Sequence, residues 1–96
     1  MSKHATLAYG EKMLEVVKVV NNLDQSFSLM KVYVHKDRIV SVHASDQMNK
    51  TFVSRRDAFP EGLDKRTEFS SLSFNGGAVT NYITVVGSPE VIASKV

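Results

Sequence analysis

The chain has no cysteine and no tryptophan, and it has only two prolines and five glycines among its 96 residues. Without cysteine there is no disulfide framework, no thiolate nucleophile, no Cys-rich structural zinc site and no iron–sulfur cluster. The compartment is thereby only weakly constrained, and a cytoplasmic protein is expected. Long hydrophobic runs are missing too. No apolar stretch approaches the roughly 18 residues needed to span a bilayer. Met1 to Tyr9 lacks the apolar run of about 7 or more residues that a secretory signal carries. Ser2 stands where myristoylation requires glycine, and there is no cysteine to prenylate, so no membrane association is expected.

What is present is 43% hydrophobic and 23% charged, the composition of a single small domain over residues 1–96. A chain of this length buries roughly 60–65% of its unfolded surface. That makes one core, with function on its surface. Twelve basic residues stand against ten acidic ones, and they are unevenly placed. Lys31, Lys36, Arg38, Lys50, Arg55 and Arg56 outnumber Asp37 and Asp46, whereas Asp57, Glu61, Asp64 and Glu68 outnumber Lys65 and Arg66. A cationic segment followed by an acidic one is a weak nucleic-acid signal, because dedicated binders cluster Lys and Arg densely on one face.

No repeat, low-complexity tract or linker divides the chain, and Pro60-Glu61-Gly62 is the break in its middle. Residues 9–23 admit two readings. Tyr9, Met13, Val16, Val17 and Val20 draw one apolar stripe on a helix, with Thr6 as a cap and Asn21-Asn22 as an end. Against this, four valines in five residues suit a pleated strand. The spacing favours the helix. From Ser26 the period is two: Met30, Val32 and Val34, then Val40, Val42 and Ala44. Pairing Val34 with Val40 and Val32 with Val42 predicts a hairpin. Lys50 to Arg56 reads as a third strand. Phe69 to Phe74 and Val79 to Val86 flank Asn75-Gly76-Gly77, a type I′ hairpin signal, with Leu72, Phe74, Val79, Ile83 and Val85 as the core stripe. Ser88-Pro89-Glu90 is a helix start: a capping hydroxyl, proline at the first position and an acid near the positive dipole end.

No catalytic constellation survives. Ser41, His43 and Asp46 have the residue types of a triad, but Ser41 and His43 stand about 6.5–7 Å apart on a flat strand face with no oxyanion pocket. His35 and His43, with His4 or Asp46, fall on the order of 13 Å apart in the expected hairpin, too far to share one ion. The glycines at 76 and 77 lack a phosphate-loop motif and precede a strand. Two surfaces remain. One is a basic sheet face of Lys31, Tyr33, His35, Ser41 and His43, extended by Lys50, Arg55 and Arg56, which suits single-stranded nucleic acid but offers one aromatic for stacking. The other is the hydroxyl-rich face of Ser71, Ser73, Thr80, Tyr82 and Thr84, where Phe69 and Tyr82 as cross-strand neighbours would anchor a partner. That face reads equally well as a buried one beneath the N-terminal helix.

The expected fold is α+β: an antiparallel β-meander of about five strands with an N-terminal helix and a short C-terminal helix. The alternative is an all-β barrel or sandwich in which residues 12–20 form a further strand. The expected function is that of a small non-catalytic interaction protein, an accessory regulator or inhibitor, that binds another protein without cofactor or metal. A nucleic-acid-binding module using the Lys31 to Arg56 surface is the second reading, a small-molecule binder or minor enzyme the third, and homo-oligomerisation stays open. The candidate partner-binding residues are Lys31, Tyr33, His35, His43, Arg55, Arg56, Phe69 and Tyr82.

Overall fold

Valine decides the first element. A computed structural model describes residues 12–76 and 78–96, and residues 13–21, whose apolar stripe predicts a helix, form strand β1 (Met13–Asn21). Branching at Cβ restricts Val16, Val17, Val19 and Val20 in a helix and suits them to a pleated surface. The period of two is hidden because both faces of β1 are covered. Leu14 and Val16 are buried in one apolar cluster and Val19 in another. Thr6 and Tyr9, the start of the expected helix, and His4, considered as a metal ligand, lie outside the described residues.

A tight turn, closed by the Asn22 N–H donating to the Ser26 carbonyl, leads into β2 (Phe27–His35). The two strands pair antiparallel along their full length, from Met13 opposite His35 to Asn21 opposite Phe27. β2 therefore takes β1 as its neighbour, and the expected hairpin of β2 with the next strand does not form. A single 3-10 turn, Lys36–Arg38, links β2 to β3 (Ile39–Ala44).

The stretch expected as a third strand is instead helix α1 (Asp46–Ser54). Ser45 caps it by accepting from the Met48 N–H at 3.4 Å, and Asp46 complements the positive end of the dipole. Met48 and Phe52, four residues apart, share the face that packs on the sheet, while Val53 is exposed. After a 3-10 turn at Arg56–Ala58 the chain reaches the hairpin of β4 (Phe69–Asn75) and β5 (Thr80–Val86). Asn75 pairs with Thr80, so four residues separate the strands and the two-residue Asn-Gly turn is not used. Val79 consequently leaves the core stripe and is exposed, and Gly77 lies outside the described residues. Helix α2 (Pro89–Ser94) begins at the Ser88-Pro89-Glu90 signal, with the Ser88 hydroxyl accepting from the Val91 N–H.

The class is α+β: among the described residues there is one five-stranded antiparallel sheet, ordered β2-β1-β5-β4-β3, with two helices. β2 and β3 sit on opposite edges of this sheet yet are joined by three residues. The sheet therefore curves enough for β2 and β3 to meet at that turn, and it is open between them along the rest of their length. Its concave side holds Leu14, Val16, Val34, Leu72 and Val85, and α2 inserts Ile92 among them. Gly87 makes that insertion possible. Its φ is +124°, and a Cβ there would stand 3.1 Å from the Ile92 Cδ1. On the convex side α1 and the segment after it cover Val19, Phe69 and their neighbours with Phe52 and Phe59. Four phenylalanines interlock there: Phe27 stacks on Phe59 at 4.5 Å, and Phe52 meets Phe59 and Phe69 edge-on at 5.0 and 5.3 Å. No helix among the described residues is long and apolar enough to cross a membrane.

Candidate functional site at the mouth of the sheet

The incomplete closure leaves a cavity of about 360 Å³ at the gap beside β2, within the range of about 300–1,000 Å³ common for ligand sites. Alternation decides its floor. Val32 and Val34 of β2 point to the concave side opposite Val16 and Leu14, and Phe74 and Ile83 from the β4–β5 hairpin form the facing wall. Lys18 lies on the same face as Leu14 and Val16, between Met30 on β2 and Val85 on β5. Arg38 stands in the 3-10 turn that closes one end of the gap.

The electrostatics are one-sided. Among the described residues neither Lys18 nor Arg38 forms an ion pair, and no carboxylate lines the cavity. The nearest acid in sequence, Asp37, is not a lining residue but stands beside one, His35: its N–H donates to the His35 Nδ1 at 3.3 Å, and its carboxylate is 3.9 Å from the same nitrogen. An apolar floor with two cations and no counter-charge is matched chemically to an apolar group bearing a carboxylate or other anion. A second cavity, of about 390 Å³, lies beside Phe52 and Phe59, but Arg56 is accompanied there by Asp57 and Glu61, so its charges are already mixed.

Of the residues expected to bind a partner, Tyr33 and His35 also border the cavity beside β2, and the others are scattered away from it. Lys31, Tyr33 and His35 share the convex face of β2, where Glu15 occupies two of them: Tyr33 Oη donates to it at 3.2 Å, and Lys31 Nζ is 3.8 Å away. Tyr82 is also convex and exposed, and pairs with Ser73. From the Lys18–Val85 and Glu15–Tyr33 pairings, the two tyrosines lie about 20 Å apart along the strand direction. Phe69 is not its cross-strand neighbour. It pairs with Val86 and is fully buried under α1, which removes it from any surface.

Arg55 and Arg56 are partly committed to the fold. The Arg55 guanidinium lies 5.7 Å over the Phe27 ring and donates to the Gln25 carbonyl at 2.8 Å; that of Arg56 lies 5.3 Å over the Phe52 ring. His43 is exposed on the far edge strand, and the expected spacing of His35 and His43 across one hairpin does not arise. Among the described residues no group of three or more His, Asp or Glu is placed to hold a metal ion. Ser41 and His43 lie exposed on β3 with Asp46 opening α1, and neither cavity is lined by any of the three.

Sequence reasoning missed Lys18 and the wall formed by Phe74 and Ile83 with Val32. On a helix over residues 9–23, Lys18 falls opposite the apolar stripe of Tyr9, Met13, Val16, Val17 and Val20 and reads as an ordinary solvated charge. A period-two reading of Leu14, Val16 and Lys18 places a charge on the inward face of a valine-rich strand, and that anomaly was the available signal. No protein-family model, curated protein or solved structure matches the chain, which leaves the geometry of the mouth as the ground for a functional reading.

Proposed function

We propose that the protein is a small non-catalytic interaction domain that acts by holding part of a partner protein in the mouth beside β2. The observation that carries this reading is the concave cavity with an apolar floor of Val32, Val34, Phe74 and Ile83, and with Lys18 and Arg38 lacking counter-charges among the described residues. Partner binding covers such a floor and supplies the missing charge, which is where interfaces gain most of their energy and specificity. No cofactor or metal enters this reading.

The second reading, a nucleic-acid module on the basic face, has less behind it. Lys31 already faces Glu15, Arg55 and Arg56 stack on phenylalanines, and Tyr33 and Tyr82 are far apart. The test places a photo-crosslinking side chain at Asn75, which lines the mouth, or at Tyr82, on the convex face. A partner protein captured from Asn75 and not from Tyr82 supports the proposal. Capture from Tyr82 alone refutes it, as does tight salt-sensitive binding of a single-stranded oligonucleotide that Lys31→Ala and Tyr33→Ala abolish.

A further inference from the structure

We infer that the occupant of the mouth is an extended peptide strand that adds to the free side of β2 and turns alternating apolar and acidic side chains inward. This rests on the reading of the protein as an interaction domain and names the partner segment it takes. The first support is the backbone. β2 is nine residues long, and among the described residues it pairs with β1 alone. Half of its N–H and C=O groups therefore face the gap, because strand backbone groups point alternately to the two sides. A strand pairing there would lie about 4.8 Å from β2, and every second side chain would project over Val32 and Val34.

The second support is room. The cavity of about 360 Å³ is more than twice the roughly 150 Å³ that suffices for a benzene ring, so it takes inward side chains of an added strand without repacking the core. The third is charge. Covering Lys18 and Arg38 with a purely apolar strand would desolvate both cations with nothing in exchange. A purely acidic strand would leave the floor wet. An alternating strand answers both. A second copy of the chain does not, because the concave face of its own β2 presents Ser28, Met30, Val32 and Val34 and no carboxylate.

The probe is a fluorescein-labelled octapeptide in which threonine alternates with leucine and glutamate, titrated into the full chain at low salt and read by anisotropy. Saturable binding is expected, with amide resonances of Val32 to His35 shifted and slowed in hydrogen exchange. Lys18→Met and Arg38→Glu each weaken it about tenfold, the loss of one charge-assisted contact. So does replacing glutamate by lysine, or N-methylating the alternate amides that would pair with β2. Circular dichroism checks that each variant folds. If Lys18→Met does not, Arg38→Glu, in an exposed turn, carries the test.

Equal binding of the N-methylated peptide overturns strand addition, and equal binding of the lysine peptide overturns the charge match. Shifts that spare Val32 to His35 overturn the site. A dimer broken by Arg38→Glu makes a second copy the occupant, and displacement of the peptide by stoichiometric decanoate makes it a small anion; either overturns the inference. If the octapeptide fails to bind while a cross-linker at Asn75 still captures a folded partner, the strand inference falls and the interaction reading stands.

Discussion

Replacing Phe59 by alanine tests whether the segment after α1 is part of the core or a cover laid loosely over it. Phe59 is 6% exposed and touches three other rings, with centroids 4.5, 5.0 and 5.6 Å away. A phenylalanine buries about 150–200 Å², and at about 25 cal/mol per Å² its burial is worth about 4 kcal/mol. The cavity left behind and the lost ring contacts offset the methyl that alanine retains, so the substitution is expected to cost about 3–5 kcal/mol. Phe59→Leu keeps most of the volume and is expected to cost about 1–2 kcal/mol. The assay is urea unfolding followed by far-ultraviolet circular dichroism, with the denaturant slope unchanged if only stability has moved. In a thermal melt the alanine variant falls by more than about 12 °C, at about 4–8 °C per kcal/mol for a domain of this size. A cost below about 1 kcal/mol would refute the packing argument, because a ring held by three others cannot be removed so cheaply.

Three further outcomes follow from local geometry. Ser70 is fully buried, and its hydroxyl donates to the Gly87 carbonyl at 2.6 Å; Ser70→Ala leaves that carbonyl short of a donor and is expected to cost about 1–2 kcal/mol by denaturant titration. Gln25 holds φ +69° in the β1–β2 turn, a region that strains a side-chain-bearing residue, so Gln25→Gly is expected to stabilise by about 0.5–1 kcal/mol and raise the melting temperature. The Ser26 hydroxyl and N–H both donate to the Asp24 carboxylate and hold its pKa below the usual aspartate value. A lowered folded-state pKa gives stability that is present above the unfolded value and lost as pH falls through the folded one. Melting curves of the native chain and Asp24→Asn are therefore expected to converge as the pH drops through that acidic window, and a gap that widens there would contradict the assignment.

Elements with local causes were legible before the structure. The β4–β5 hairpin follows from its alternation and its turn residues, although the loop runs longer than Asn-Gly alone implies. Helix α2 follows from Ser88-Pro89-Glu90. Helix α1 carries an equally local signal, Ser45-Asp46 with Met48 and Phe52 four residues apart, which the reading of Lys50 to Arg56 as a strand did not use. β1 failed for a different reason. A central strand with both faces covered has apolar residues on both, so its period of two disappears, and the surviving spacing of Met13, Val16, Val17 and Val20 imitates a helix. The candidate site was illegible for the same reason, because Lys18 reads as an inward charge only once residues 13–21 are known to be a strand.

Taken by itself, the sequence determined that no cysteine chemistry is available, that the chain holds an antiparallel sheet followed by a short C-terminal helix, and which residues of β2, β4 and β5 share a face. These depend on composition and on contacts within a few residues. The tertiary structure alone decided that β2 pairs with β1 and not with β3, that Phe69 is buried while Tyr82 is not, and that the sheet curls without closing. Strand partners and the cover over each face are set by contacts distant in the chain. Alternation tells which side chains point together, and only the packed fold tells what they point at: here, a gap floored by valines and edged by two cations.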